Sequence, residues 1–461
     1  MDIRIRGNLA PPLLALLLAV FVTAVTLLVG GVRTAHALGC VVDDTGDAPA
    51  VAPGVSCLTA GGKITLRSAI ERFNNAGGPN EILFNLPNPS TITLTNGRIT
   101  ITNSPAQNLT ITGGPTPSAI VVDGNNASGI FKTTGGPTVS ISGLTLQHGS
   151  ASSGGAIDDT GTLTITNSLL TANQTSVSGG AIENGGANLT LIDSAITNNT
   201  TTGNNLLGAG IHSSSGQGVG NGITLNRVTI SGNHINGTNS SGGGVEIDGA
   251  GAYNFTNVTI SGNSATANGG GVLLTGGAQL HATNITVANN TANLGGGFDV
   301  DLYSIAFVTN TIASGNTPDN CHGSGGITSS MGHSLELGNS CAFAQASDIH
   351  ADPLLGALST NPPGSLQTQS LPANSPAVDT ADPVACPATD ERGMQRKVDG
   401  ACDIGAFEFV AAAVTASPTP GLPAAGGSAP PSIPLAPIGL GLLLAAVGVV
   451  ATVAVRRRLA R

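Results

Sequence analysis

One series of residues along the chain has the spacing of a repeated site. Each member directly follows a four-residue motif that begins with glycine; in chain order they are Asp158, Glu183, His212, Glu246, Leu273 and Asp299. If the motifs are equivalent turns of a stacked fold, neighbouring members lie about 4.8 Å apart on adjacent strands. Glu183, His212 and Glu246 could then share a proton or a cation. We call this series the acidic column and expect it to point outward into solvent.

Two kinds of chemistry could use the acidic column. A glycoside hydrolase needs two carboxylates about 5 to 9 Å apart. A polyuronate lyase needs carboxylates that bind calcium and a basic side chain that removes a proton. Arg227 is the only Lys or Arg between Lys132 and Arg392, Trp is absent and there are two Tyr, so acidic substrates and stacked sugars find few partners. The alternative is a solvated polar face without a catalytic role.

The glycine motifs define a repeat that sets the fold. They begin at Gly154, Gly179, Gly208, Gly242, Gly269 and Gly295. A second element ends at Asn173, Asn199, Asn233, Asn263, Asn290 and Asn316, and within it apolar residues alternate with Thr, Ser or Asn. Such alternation is typical of half-buried strands, and units this short bury a core only by stacking. The sequence therefore predicts an all-β, right-handed parallel β-helix, or solenoid, of roughly ten coils over residues 91–345.

Stacking predicts particular residue columns and caps. The inward column should be apolar, at Ile157, Ile182, Ile211, Val245, Val272 and Phe298. Turn columns should be Asn, which tolerates left-handed backbone and whose amides can hydrogen-bond from coil to coil. Leu66, Ala69, Ile70 and Phe73 fall on one face of a short helix, which we expect to cap the first coil within residues 38–90. Residues 346–410 are expected to close the other end.

Both termini have features of an exported and anchored protein. Residues 1–37 combine Arg4 and Arg6 with an apolar stretch and small residues near Ala37, which is typical of a signal peptide. Residues 411–434 form a Pro/Ala/Gly/Ser linker, 435–455 an apolar run of membrane-spanning length, and 456–461 a basic tail expected in the cytoplasm. The sequence therefore predicts an extracellular, cell-surface body anchored to the membrane by a C-terminal transmembrane helix.

The six cysteines fall into three local pairs. An even number of cysteines in an exported chain indicates disulfides. We predict bridges between Cys40 and Cys57, Cys321 and Cys341, and Cys386 and Cys402. Zinc is the alternative, but the chain has no CxxC pair and no histidines at finger-like spacing.

Several motifs resemble those of known families. The GGAI and IxxN repeats between residues 141 and 316 resemble polymorphic outer-membrane proteins, and Leu66-Arg-Ser-Ala-Ile70 after Cys57 resembles the CSLREA motif. Asp390-Glu-Arg-Gly393 and Asp403-Ile-Gly-Ala-Phe-Glu408 resemble the choice-of-anchor domain. Leu422-Pro-Ala-Ala-Gly426 is similar to a sortase sorting signal, with Ala425 where that family has Thr, so cell-wall attachment is the alternative to a simple membrane anchor. These families are named for location and shape, and the resemblance implies a surface protein.

These observations predict a non-catalytic cell-surface β-helix protein, adhesin-like or structural in the envelope, that presents a repetitive surface to a glycan or another cell-surface partner. The alternative is a carbohydrate-active enzyme, a polysaccharide hydrolase or lyase, that uses Glu183, His212 and Glu246. No cofactor is expected, apart from calcium in the lyase interpretation. The net charge of −10 and the scarcity of Lys and Arg in the repeats argue against nucleic acid as a partner, because phosphate binding requires them.

Overall fold

The computed structural model describes residues 40–76, 80–102, 108–186, 188–214, 222–323, 327–397 and 400–411. Over these ranges the chain forms an all-β parallel β-helix of about nine turns, with few helices. The predicted parallel β-helix is therefore confirmed, with about one turn fewer than expected. Some coils are long, because 29 residues separate Glu183 from His212 and 34 separate Asn199 from Asn233.

The two ends of the chain lie largely outside this description. The predicted signal peptide, membrane helix and basic tail fall on residues that are not described, and Ala411 is the one described residue of the predicted linker. Among the helices that the structure does describe, none has the length and apolar character needed to cross a bilayer.

Three stacks of parallel strands build the described part of the β-helix. Sheet 1 has 18 strands: Cys40–Val42, Glu81–Phe84, Ser90–Thr93, Asn108–Thr112, Ile120–Asp123, Thr138–Ser142, Thr145–Gln147, Thr162–Thr166, Leu169–Thr171, Asn188–Thr197, Gly222–Ser231, Ala252–Ser261, Gln279–Ala288, Ile305–Thr309, Ile312–Ser314, Ile327–Ser330, Leu335–Glu336 and Ile349–His350. Sheet 2 has nine: Ile99–Ile101, Phe131–Thr133, Ile157–Asp159, Ile182–Asn184, Ile211–Ser214, Val245–Asp248, Val272–Thr275, Phe298–Val300 and Cys321–Gly323. Sheet 3 has four: Ser150–Ser153, Gln174–Ser178, Thr200–Thr202 and His234–Asn236. An antiparallel hairpin joins Leu358–Thr360 to Gln367–Gln369.

The inward column of sheet 2 forms part of the core. Parallel register aligns its members from coil to coil, and each is fully buried: Ile157, Ile182, Ile211, Val245, Val272 and Phe298. The predicted inward column is thus confirmed. Removing a side chain of this size from water stabilises the fold by about 1.5 to 3 kcal/mol, and the gain repeats at every coil.

A ladder of buried asparagines runs along one corner, as predicted. Each Nδ2 donates a 2.9 Å hydrogen bond to Oδ1 of the next member in the order Asn173, Asn199, Asn233, Asn263, Asn290 and Asn316. The left-handed backbone, however, falls on the residue before each ladder position, as at Asn198 and Asn289, with φ of 55° and 61°. The role of Asn at the ladder positions is therefore the hydrogen bonding of its side-chain amide, and not left-handed backbone.

The helix at the amino-terminal end is present. It spans Leu66–Ala76, and Leu66, Ala69, Ile70 and Phe73 are fully buried. It packs against the strands Cys40–Val42, Glu81–Phe84 and Ile99–Ile101. An 11-residue helix is marginal alone, so this apolar face stabilises it.

The carboxyl-terminal segment differs from its predicted position. It lies along the flank of the β-helix, on the outer face of sheet 1, instead of only closing the last coil. Thr229 Oγ1 donates to the Glu391 carboxylate at 2.8 Å, Asn284 Nδ2 donates to the Asp403 carbonyl at 3.0 Å, and the Ala406 amide donates to Thr286 Oγ1 at 3.1 Å. The outward hydroxyls and amides of successive coils provide these partners, which is why the segment follows the flank.

The three disulfides that the sequence predicts are present. They join Cys40 to Cys57, Cys321 to Cys341 and Cys386 to Cys402. Cys321 pairs in register with Phe298 and so continues the inward column. Each bridge restricts the unfolded chain within one region of the molecule.

Candidate functional site

Sheet 2 aligns the acidic column as predicted. Parallel register places Asp158 beside Glu183, Glu183 beside His212, and His212 beside Glu246. Leu273 follows and separates Glu246 from Asp299. The strands alternate, so the apolar neighbour of each member points into the core while the member itself points away from it.

The expectation that this column is solvated is wrong. Asp158, His212, Glu246 and Asp299 are 7, 6, 3 and 4% exposed, and only Glu183 is half-buried. The cause is the glycine corner of the same coil, whose backbone packs directly against the column. A Cβ added at Gly208 would lie 2.7 Å from His212 Cβ, and one at Gly242 would lie 2.5 Å from Glu246 Cβ. Both glycines also have positive φ, so the motif needs glycine for backbone conformation and for space.

The centre of the column holds three ionisable groups in successive coils. His212 Nδ1 is 2.9 Å from both carboxylate oxygens of Glu183, and Ser178 Oγ donates to Glu183 Oε2 at 2.6 Å. Glu246 is the register partner of His212 on the other side. Among the described residues, His212 Nε2 and Glu246 Oε2 are buried without a hydrogen-bond partner.

Burial and pairing shift the pKa values of this centre. Burial raises the pKa of Glu246 to about 8, against the opposing effect of His212. Burial lowers the pKa of His212, but the hydrogen bond and charge of Glu183 outweigh it, and the pKa lies above its ordinary value. Near neutral pH Glu246 is therefore protonated, and it lies in the coil next to the Glu183–His212 pair. The arrangement can store or pass a proton.

Basic partners that the sequence analysis missed occupy both ends of the column. Lys132 Nζ and Arg98 Nη1 lie 2.7 and 3.2 Å from Asp158 Oδ2. At the far end, His322 Nδ1 lies 2.8 Å from Asp299 Oδ1, and burial raises the pKa of Asp299 despite this contact. Lys132 follows Phe131 as Asp158 follows Ile157, so extending the repeat one coil upstream would have found it.

The carboxyl groups of the acidic column therefore lie beside basic side chains of the protein itself. Glu183 and His212 are in contact, and Glu246 lies in the next coil, whereas Asp158 and Asp299 have separate basic partners. In the part of the chain that the structure describes, no group of three or more His, Cys, Asp or Glu side chains is placed to hold a metal ion.

The fold and the column define a disulfide-bonded parallel β-helix protein. No model of a known protein family matches the chain, and no curated protein matches it. The resemblances to polymorphic outer-membrane proteins, the CSLREA motif and the choice-of-anchor domain therefore stay predictions. The crystal structure of pectate lyase Pel9A aligns with 80% of this chain and 97% of its own, at 18% identity and a TM-score of 0.44. That likeness concerns overall shape.

Proposed function

We propose that the protein is a non-catalytic β-helix scaffold of the cell surface, adhesin-like or structural in the envelope, whose flank contacts a glycan. The proposal includes an extracellular body anchored to the membrane by the predicted transmembrane helix at residues 435–455. Three disulfides support an oxidising location. The observation that carries the proposal is a regular polar surface on sheet 1.

This surface, which we call the threonine face, consists of outward side chains in register on successive coils. It comprises Thr164, Thr190, Thr224, Asn254 and His281. Thr224, Asn254 and His281 are exposed, and the other two are half-buried. Hydroxyl and amide groups repeat there about every 4.8 Å without Lys, Arg, Asp or Glu, which suits the hydroxyls of an uncharged polymer.

The acidic column fits this proposal as a structural feature. Its carboxylates face bases in neighbouring coils and are covered by the glycine corners, so an extended polymer has little access to them. Buried ion pairs add little net stability, but loss of one partner is costly. The column thus favours one alignment of the coils, and the surface left for recognition is the threonine face.

A binding experiment with matched variants tests the proposal. Thr224→Lys with Asn254→Lys places bulk and charge at two exposed positions that are in register on the threonine face. Thr202→Lys with Asn236→Lys does the same at two exposed positions in register on sheet 3. We expect the first variant to lose at least tenfold in affinity for a bound neutral polysaccharide, and the control to bind as wild type. Equal binding by both variants, or no binding by wild type to a broad panel, would refute the proposal.

A carbohydrate-active enzyme is the second candidate, and the centre of the acidic column favours it. A protonated Glu246 beside the Glu183–His212 pair has the properties of an acid and base group, and shifted pKa values are enriched at active sites. The test is sugar release from neutral and acidic polysaccharides, with and without calcium. Product that is lost in Glu183→Gln with Glu246→Gln would establish the enzyme, and folded protein that releases no sugar would leave the scaffold.

A further inference from the structure

A pocket lies where the carboxyl-terminal segment meets the β-helix. It has a volume of about 350 Å³ and is lined by Asn167, Asp193, residues 363–366, Glu391 and Arg392. Asn167 and Asp193 come from sheet 1 of the β-helix and have left-handed backbone, with φ of 47° and 50°. Asn167 lies between two strands, and Asp193 lies within the strand Asn188–Thr197. The remaining residues belong to the segment on the flank, so neither part forms the pocket alone.

The wall formed by the segment is fixed by many contacts. Glu391 is 1% exposed and accepts hydrogen bonds from Thr229 Oγ1 and Thr259 Oγ1. The Arg392 guanidinium donates to Asp390 Oδ2 at 2.8 Å and stacks over the Phe407 ring at 3.6 Å. These contacts preorganise the pocket, which lowers the entropic cost of binding a ligand.

Gly364 brings the loop of the segment close to Arg392. A Cβ at Gly364 would lie 2.8 Å from Arg392 Cα. Ser365 follows and is exposed, so its hydroxyl stands at the rim of the pocket. The rim thus offers a position where a larger side chain can obstruct the pocket without entering the core.

The charges that line the pocket are compensated. Arg227 Nη2 lies 2.7 Å from Asp193 Oδ2, and Arg392 is paired with Asp390. Burial raises the pKa of Glu391 well above its ordinary range, which favours the uncharged form of its carboxyl. The lining therefore offers amide, carboxylate and hydroxyl groups with no excess charge of either sign, which disfavours uronates and amino sugars relative to neutral sugars.

We propose that this pocket binds one or two units of a neutral sugar through hydrogen bonds to Asn167, Asp193 and Ser365. The volume is in the range of small-ligand sites. Asn167 and Asp193 directly follow outward residues of sheet 1, so the pocket opens at the edge of the surface that includes the threonine face. The inference rests on the proposed function in that the partner is a glycan, and it assigns that glycan a specific subsite.

The test measures binding of small sugars to the full-length protein by saturation-transfer NMR and calorimetry. The probes are glucose, galactose, mannose and maltose, with galacturonate and glucosamine as charged counterparts. Ser365→Tyr obstructs the pocket. Ser359→Tyr, at an exposed position in a strand of the same hairpin, is the matched control. We expect a neutral sugar to bind wild type and Ser359→Tyr, with at least a tenfold loss in Ser365→Tyr.

The outcomes separate this inference from the proposed function. Small-sugar binding that survives Thr224→Lys with Asn254→Lys but not Ser365→Tyr assigns the subsite to the pocket. The inference is overturned by equal binding in Ser365→Tyr, by a preference for galacturonate or glucosamine, or by no small-sugar binding at all. If polysaccharide still binds through the threonine face in those cases, the pocket assignment fails while the proposed function stands.

Discussion

His212 Nδ1 lies 2.9 Å from both carboxylate oxygens of Glu183, although 29 residues of chain separate the two. The contact exists because the strands Ile182–Asn184 and Ile211–Ser214 pair in register. Glu246 occupies the equivalent place in the following coil, so three ionisable groups lie side by side in successive coils.

Stability should decrease as pH rises through the range set by Glu246. Its pKa is about 8 in the folded protein against 4.5 for the free group. The folded state therefore binds this proton more tightly than the unfolded state, and the contribution is fully present below pH 4.5 and is lost as pH rises through 8. Glu246→Gln should flatten the decline in melting temperature between pH 5 and 9.

The control for this pH series is Glu81→Gln, which removes a carboxyl from a half-buried strand position. Its melting curve gives the general effect of replacing Glu by Gln. A Glu246→Gln profile parallel to wild type at every pH would show that Glu246 is not held protonated. The pKa of His212 is also raised, so this group also makes stability fall as pH rises. Part of the pH dependence of the melting temperature should therefore remain in Glu246→Gln.

Removing one rung of the asparagine ladder should destabilise the protein. Asn233 Nδ2 donates to Asn263 Oδ1 and to the Ile196 carbonyl, and Asn233 Oδ1 accepts from Asn199. Asn233→Ala leaves buried donors and acceptors without partners, at a cost of about 3 kcal/mol. The urea midpoint should fall accordingly, whereas Asn254→Ala at an exposed position should change stability by less than about 0.5 kcal/mol. Similar midpoints for the two variants would contradict a stabilising ladder.

The carboxyl-terminal segment should loosen when Arg396 is shortened. This buried guanidinium donates to Glu408 Oε2 at 3.0 Å, to Asn257 Oδ1 at 2.9 Å and to the Gly405 carbonyl at 2.8 Å. Arg396→Ala leaves Glu408 buried without this partner, which costs about 3 to 5 kcal/mol. Hydrogen exchange should accelerate over residues 365–397 and 400–409.

Hydrogen exchange in two strands of sheet 1 shows whether the effect of Arg396→Ala is confined to the carboxyl-terminal segment. Gln395→Ala, at an exposed neighbour, is the control and should exchange as wild type. Protection that persists in Gly222–Ser231 and Ala252–Ser261 places the loss in the segment. Equal acceleration throughout would mean that the segment and the β-helix unfold as one unit.

The Cys321–Cys341 bridge should stabilise the last coils. Both cysteines are buried and 20 positions apart, and closing a loop of this length contributes about 3 kcal/mol. Replacing both with Ser should speed exchange in Leu335–Glu336. Replacing Cys40 and Cys57 instead should leave that strand protected, because this bridge lies at the other end of the described chain. A loss of protection there would argue that the bridges are not independent.

The parallel β-helix follows from local pattern. Ile157, Ile182 and Ile211 each end a glycine motif, and Asn199 and Asn233 lie two residues after the end of a strand. Stacking of similar units converts such periodicity directly into columns. The local cysteine pairs were predictable for a similar reason, since both partners of each pair lie within about 20 residues.

The surroundings of the acidic column could not be predicted in this way. Arg98 reaches Asp158 across 60 residues from a coil that lacks the glycine motif. The burial of Glu246 depends on the backbone of Gly242 packing against it, whereas alternation alone indicates only that the side chain points away from the core. The position of Glu391 on the flank likewise arises from contacts more than 130 residues apart in sequence, to Thr229 and Thr259.

The asparagine ladder fixes the spacing of the coils between Asn173 and Asn316 without fixing the number of residues in each coil. Successive members are 26, 34, 30, 27 and 26 residues apart, yet each amide meets the next at 2.9 Å. The ladder therefore tolerates coils of different length without a break in its hydrogen bonds. A gene for such a chain can therefore gain or lose whole coils by duplication or deletion, and its loops can diverge in sequence and length, while the molecule keeps one continuous axis.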